Sequence, residues 1–166
     1  MKISFKIYII CCFLSIFSCI KPPDYPIEPK ITFKTLSKNT MKQGQSPNDD
    51  FLFLTIDFTD GDGDIGNSAG DTLTKYNIEI IDTRDSSLIP YKAPIVPLIG
   101  ANNGISGEIE IKLFTTCCYY ADGFRPCEPH PVIPADTLTY KVAIFDRAGH
   151  KSNVIETPPI YLDCRN

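Results

Sequence analysis

Glu108-Ile109-Glu110-Ile111-Lys112-Leu113 alternates charged and apolar residues without a fault, and no stretch of the chain sustains a 3.6-residue period. A period of two sends successive side chains to opposite faces of an extended strand, so this segment has one wet face and one core face. Leu138 to Ile144 alternates in the same way. Phe51 to Phe58 is apolar on both parities at its start, as a strand buried on both faces would be. Tyr76 to Ile81, Ile155 to Leu162 and Ile31 to Leu36 complete the set, with glycine and proline punctuating the runs. Roughly six to eight short strands in one domain's length predict an all-β chain folded as an antiparallel β-sandwich.

The strands begin only after a leader and a spacer. Met1 to Lys6 is short and basic, and Ile7 to Phe17 is apolar and uncharged. That run is too short to cross a hydrocarbon core of ~30 Å as a helix, and it has the form of a signal-peptide core. It ends in Leu14-Ser15-Ile16-Phe17-Ser18-Cys19, which resembles a bacterial lipobox. The aliphatic Ile16, the small Ser18 and Cys19 stand where that motif has them, and Phe17 is bulkier than its usual residue. The resemblance implies cleavage after Ser18, palmitate-type diacylation of the Cys19 thiol and acylation of the new amine. Several acyl chains, at ~0.8 kcal/mol per buried methylene, hold a protein at a membrane effectively for good. Ile20 follows the anchor in place of an inner-membrane retention aspartate, which favours the outer membrane, either face. Lys21 to Pro29 is rich in proline and is expected as an extended stalk. The predicted organisation is a signal peptide over 1–18, lipidated Cys19 and a proline-rich tether over 19–30, and a β-sandwich domain over 31–166.

Charge narrows the partners. The whole chain carries −4, and loss of residues 1–18 removes Lys2 and Lys6, which lowers it to −6. A surface of that sign excludes nucleic acid and a polybasic grip on anionic lipid. The acidic residues concentrate in Asp60-Gly61-Asp62-Gly63-Asp64-Ile65-Gly66, and no Lys or Arg falls between Lys42 and Lys75. Carboxylates at alternate positions of a glycine-rich loop fold inward around one point, and crowding them is unfavourable unless a cation sits among them. Hard oxygen donors in a flexible loop suit Ca²⁺. Asp60, Asp62, Asp64 and Asp71 resemble positions one, three, five and twelve of an EF-hand loop, with the Gly66 carbonyl as a further ligand. Ile65 replaces that motif's glycine, Asp71 its glutamate, and no helices flank it, so the expectation is a structural calcium loop between strands. Asp57 or Asp146 adds a carboxylate if the fold brings it near. The alternative is a solvated Asp-Gly turn.

Cys117, Cys118, Cys127 and Cys164 follow the anchor cysteine, and an exported, oxidising setting predicts two disulfides among them. Sequence neighbours on a strand point to opposite faces, so Cys117 and Cys118 are expected to pair separately, one with Cys127 and one with Cys164. Zinc held by thiols and His130 is the rival reading, and the spacing fits no common zinc pattern.

Phe145-Asp146-Arg147-Ala148-Gly149-His150-Lys151-Ser152-Asn153 resembles the last hairpin of bacterial immunoglobulin-like domains, with His150 where asparagine is usual. With the lipobox and the Asp-Gly-Asp-Gly-Asp loop, the chain resembles a family of Gram-negative outer-membrane lipoproteins that carry one immunoglobulin-like domain. The resemblance implies an immunoglobulin-like sandwich of about seven strands, and no activity.

No nucleophile elbow, phosphate loop, zinc-protease motif or dinucleotide fingerprint is present. The densest carboxylates share one loop, whereas a glycosidase needs two facing each other across a cleft. The chain is therefore expected to be no enzyme. One reading is a tethered envelope module that contacts another envelope protein. The other is a glycan- or nutrient-binding accessory lipoprotein of an outer-membrane uptake system, with Tyr119, Tyr120 and Phe124 as the candidate ligand-stacking rings.

Overall fold

The computed structural model describes residues 24–67, 76–94, 96 and 104–165. The leader, Cys19 and Asp71 lie outside these residues. Ten strands are present among them, and no helix. β1 (Lys30–Leu36), β3 (Phe51–Asp60) and β6 (Ile105–Phe114) form one antiparallel sheet in the order β1-β3-β6. β4 (Ile78–Asp82), β5 (Leu88–Tyr91), β8 (Tyr140–Ile144) and β9 (Ile155–Glu156) form a second, ordered β5-β4-β8-β9. The chain crosses between these sheets after β3, after β5 and after β6, which is the crossing pattern of an immunoglobulin-like sandwich. The inward rows of both sheets meet in one core that includes Leu54, Ile56, Ile109, Ile80, Val142 and Ile144.

The seven strands of these two sheets answer to the predicted number, and a third sheet adds β2 (Thr40–Lys42), β7 (Ala135–Leu138) and β10 (Ile160–Asp163). β10 is its centre, antiparallel to β7 and parallel to β2. Two runs expected as single strands are each divided between sheets. Ile155 to Leu162 breaks at Thr157-Pro158-Pro159, because proline has no N–H for a ladder. Leu138 to Ile144 breaks at Thr139, where β7 ends and β8 begins.

β3 corrects another expectation. Its side chains alternate inward and outward along the whole strand, with Leu52, Leu54, Ile56, Phe58 and Asp60 buried and Phe51 exposed. The aromatic rings on its outer face are covered by neighbours rather than by a second layer. The Lys112 ammonium lies 3.9 Å above the Phe51 ring, and Phe53 meets Phe51 edge to face. The end of the stalk is not free either. Pro29 is buried and Tyr25 half-buried, so the chain meets the body at these two positions while Asp24, Pro26, Ile27 and Glu28 stay exposed.

Candidate metal centre

Strand parity explains why carboxylates sit inside this protein. Along β3 the inward positions are the even ones, and Asp60 ends that row with no exposure. Along β8 the inward row Tyr140, Val142, Ile144 continues to Asp146, which is 2 % exposed. The two rows belong to opposite sheets. An isolated antiparallel bridge between Ile65 and Asp146 closes their ends together. Asp60, Asp62, Asp64 and Asp146 each present one oxygen, and these oxygens lie within 4.8 Å of one another.

Backbone N–H groups and the His150 ring satisfy only part of this carboxylate shell. Asp60 Oδ2 accepts from the N–H groups of Asp64 (2.8 Å) and Ile65 (3.2 Å). Asp64 Oδ2 accepts from Ala148 N–H at 3.0 Å. Asp146 accepts from Gly149 N–H, His150 N–H and the His150 ring. Asp60 Oδ1, Asp62 Oδ1 and Asp64 Oδ1 are buried without a hydrogen-bond partner. Buried carboxylate oxygens left bare are costly, and three of them facing one point repel. Arg147, the guanidinium nearest in sequence, turns away and donates to the carbonyls of Gly66, Asn67 and Val96. The donor set therefore fits a hard metal cation: the four aspartates form a cluster able to hold one.

Of the other expected ligands, the Gly66 carbonyl accepts from the Arg147 Nε–H at 3.2 Å. Gly66 is also a turn residue, with φ of 81° and a backbone pressed so close to the Pro94 carbonyl that a Cβ would stand 2.7 Å from it. Asp57 points outward and lies 3.5 Å from the Lys34 ammonium. Asp146 is the residue the fold brings in. The sequence signal for it was its place in the inward row of β8, and the same parity separates buried Asp60 from outward Asp57.

Burial pushes the Asp60 carboxyl up to about 6, and the charges of Asp62, Asp64 and Asp146 add to the effect. Burial, then Asp146 and Asp62, raise Asp64 as well. His150 is raised by its hydrogen bond to Asp146. All three groups hold a proton more tightly folded than unfolded. Without a cation, stability is therefore gained as pH falls through about 6 toward 3.8, the ordinary value of Asp60. The His150 contribution is present below 6.5 and lost as pH rises through its raised value. Melting in a chelator at fixed ionic strength is expected to give a higher Tm at pH ~5.5 than at ~7.5. A saturating divalent cation reverses that order, because protons compete with it for the same oxygens.

The four cysteines stand as two bridges, Cys117–Cys127 with Cα atoms 4.5 Å apart and Cys118–Cys164 with Cα atoms 6.0 Å apart. His130 is engaged elsewhere, tilted against Tyr120, edge-on to Phe124 and hydrogen-bonded to Asp122. The three candidate ligand-stacking rings do not share an open face. Tyr119 is 39 % exposed beneath the Arg84 guanidinium, whereas Tyr120 is buried and meets Phe124 edge to face. No family model, curated protein or solved structure matches the chain.

Proposed function

We propose that the chain is a non-catalytic, lipid-anchored component of the outer membrane, a tethered β-sandwich that contacts another envelope protein and is stiffened at one end by calcium. The observation that carries the calcium reading is the trio of buried, unpartnered oxygens on Asp60, Asp62 and Asp64. Four carboxylates gathered at a glycine-rich loop suit calcium, which takes six to eight hard oxygens in a flexible geometry, better than magnesium, which demands a near-ideal octahedron. Water supplies the remaining ligands. A carboxylate loop closing the gap between two sheets suits a structural ion rather than a catalytic one. The anchor rests on the lipobox ending at Cys19.

The test takes the full chain extracted from membranes in detergent. Its intact mass is expected to show a diacylated or triacylated N-terminus at Cys19, and an unmodified terminus refutes the anchor. Calcium at about 100 times its Kd contributes ~2.7 kcal/mol, a Tm rise of roughly 10 °C for a domain of this size. Asp62→Asn is expected to remove most of that rise, and a wild-type Tm indifferent to calcium sinks the ion reading.

A further inference from the structure

The tether lies against the metal cluster. Gly61 sits between Asp60 and Asp62, and its missing side chain leaves room for the backbone of Tyr25 and Pro26. A Cβ there would stand 2.6 Å from the Pro26 carbonyl oxygen and 2.7 Å from its carbon, and closer still to the Tyr25 carbonyl. These neighbours are backbone atoms, which cannot swing aside as a side chain would. Ile31, at the start of β1 just beyond the tether, is held as well. Asn153 Oδ1 accepts from Ile31 N–H at 2.8 Å and its Nδ2 donates to the Ile31 carbonyl at 2.9 Å. Asn153 belongs to the hairpin that begins at Asp146. Of the two segments that supply the carboxylates, 60–64 therefore seats Tyr25 and Pro26, and 146–153 holds the start of β1 just beyond the tether.

We infer that the cation site is a latch for the tether, so that calcium occupancy fixes how the body leaves its membrane anchor. This rests on the calcium reading above and extends it to the control of domain orientation. With the ion bound, the Asp60–Asp64 loop is drawn together and presents Gly61 as a flat seat for Tyr25 and Pro26. With the ion removed, the bare oxygens of Asp60, Asp62 and Asp64 repel one another, the loop opens, and the seat is lost. The tether then becomes the extended, solvated stalk that its proline content favours. Envelope calcium thus selects between a docked tether, which holds the body at a set angle, and a free one.

The chain contains no tryptophan, so Tyr25→Trp places a single fluorescent reporter on the tether. In the detergent-solubilised full chain, calcium is expected to shift its emission to the blue and to lower acrylamide quenching at least twofold, and chelation to reverse both. Adding Gly61→Ala is expected to abolish the emission response while the calcium-dependent Tm rise persists. A calcium-dependent Tm rise with unchanged emission overturns the latch and leaves the ion site standing. Absence of both responses overturns the latch together with the ion site. An unchanged emission response in the Gly61→Ala variant also overturns the latch, because the seat would then be irrelevant. If that variant fails to fold, the emission of the Tyr25→Trp chain with and without calcium decides alone.

Discussion

Replacing Cys118 and Cys164 together by alanine is expected to lower stability by about 4 kcal/mol or slightly more, read as a fall in the urea midpoint under non-reducing conditions. The bridge closes a loop of 46 residues. Opening it returns the chain entropy of that loop to the unfolded state. Both sulfurs are fully buried, so the alanines also leave a small void. The location adds to the effect. Cys164 directly follows β10, the centre of the third sheet, and that sheet shares no ladder with the other two. The bridge and Gln43, which donates to the Cys164 carbonyl and accepts from Cys118 N–H, join it to the segment leaving β6. Cys117 and Cys127 are separated by only ten positions, and their removal is expected to cost about 2.5–3 kcal/mol. Equal losses from the two pairs would refute the loop-length argument. A domain of this size has a net stability of ~5–15 kcal/mol, so loss of both bridges is expected to leave it largely unfolded at 37 °C.

Arg84→Met is expected to cost about 3–5 kcal/mol, because it strands buried negative charge. The Arg84 guanidinium is nearly enclosed. Its Nη2 lies 2.6 Å from Asp82 Oδ2, its Nη1 lies 2.6 Å from Asp136 Oδ2, and Nη1 also donates to the Cys117 carbonyl at 3.1 Å. The Tyr119 ring stacks 4.5 Å from its central carbon. One planar fork thus joins β4, β7 and the first disulfide loop, and Asp136 also accepts from Tyr119 N–H. Arg84→Lys keeps a charge but cannot reach two carboxylates and a carbonyl from one ammonium, so it is expected to recover less than half of the loss. Thermal melts of the two variants check this, and a loss below about 1 kcal/mol for Arg84→Met would place the network among ordinary surface pairs. The contrast within this protein is Lys34, which pairs with Glu108 and Asp57 on the open face of the first sheet. Its substitution is expected to change little.

The strands that alternate most strictly were the most legible. β6 coincides with the run around Glu108 to Leu113, because a period of two survives any packing arrangement, whereas β3 was legible as an apolar run whose two faces the sequence did not separate. β2, β5 and β7 were not read. Three or four residues carry too little pattern, and β5 contains Pro90, which argues against a strand unless it lies at a sheet edge, as it does here. The separate pairing of Cys117 and Cys118 was legible for the same reason as the strands. Alternation sends Cys118 inward and leaves Cys117 half-exposed. It also separates outward Tyr119 from inward Tyr120, and so divides a row of aromatics that looked like one surface.

By itself the sequence determined an all-β body, two disulfides and the clustering of Asp60, Asp62 and Asp64 in one glycine-rich loop, since each follows from side-chain alternation and local chemistry. Only the tertiary structure decided that Asp146, rather than Asp57, joins Asp60, Asp62 and Asp64. β3 and β8 lie in different sheets, and where their ends meet depends on how the two sheets pack and on the bridge from Ile65 to Asp146. The same holds for the docked tether. Its prolines favour an extended chain, and nothing local in them specifies that Gly61, far along the sequence, offers the space in which Tyr25 and Pro26 come to rest.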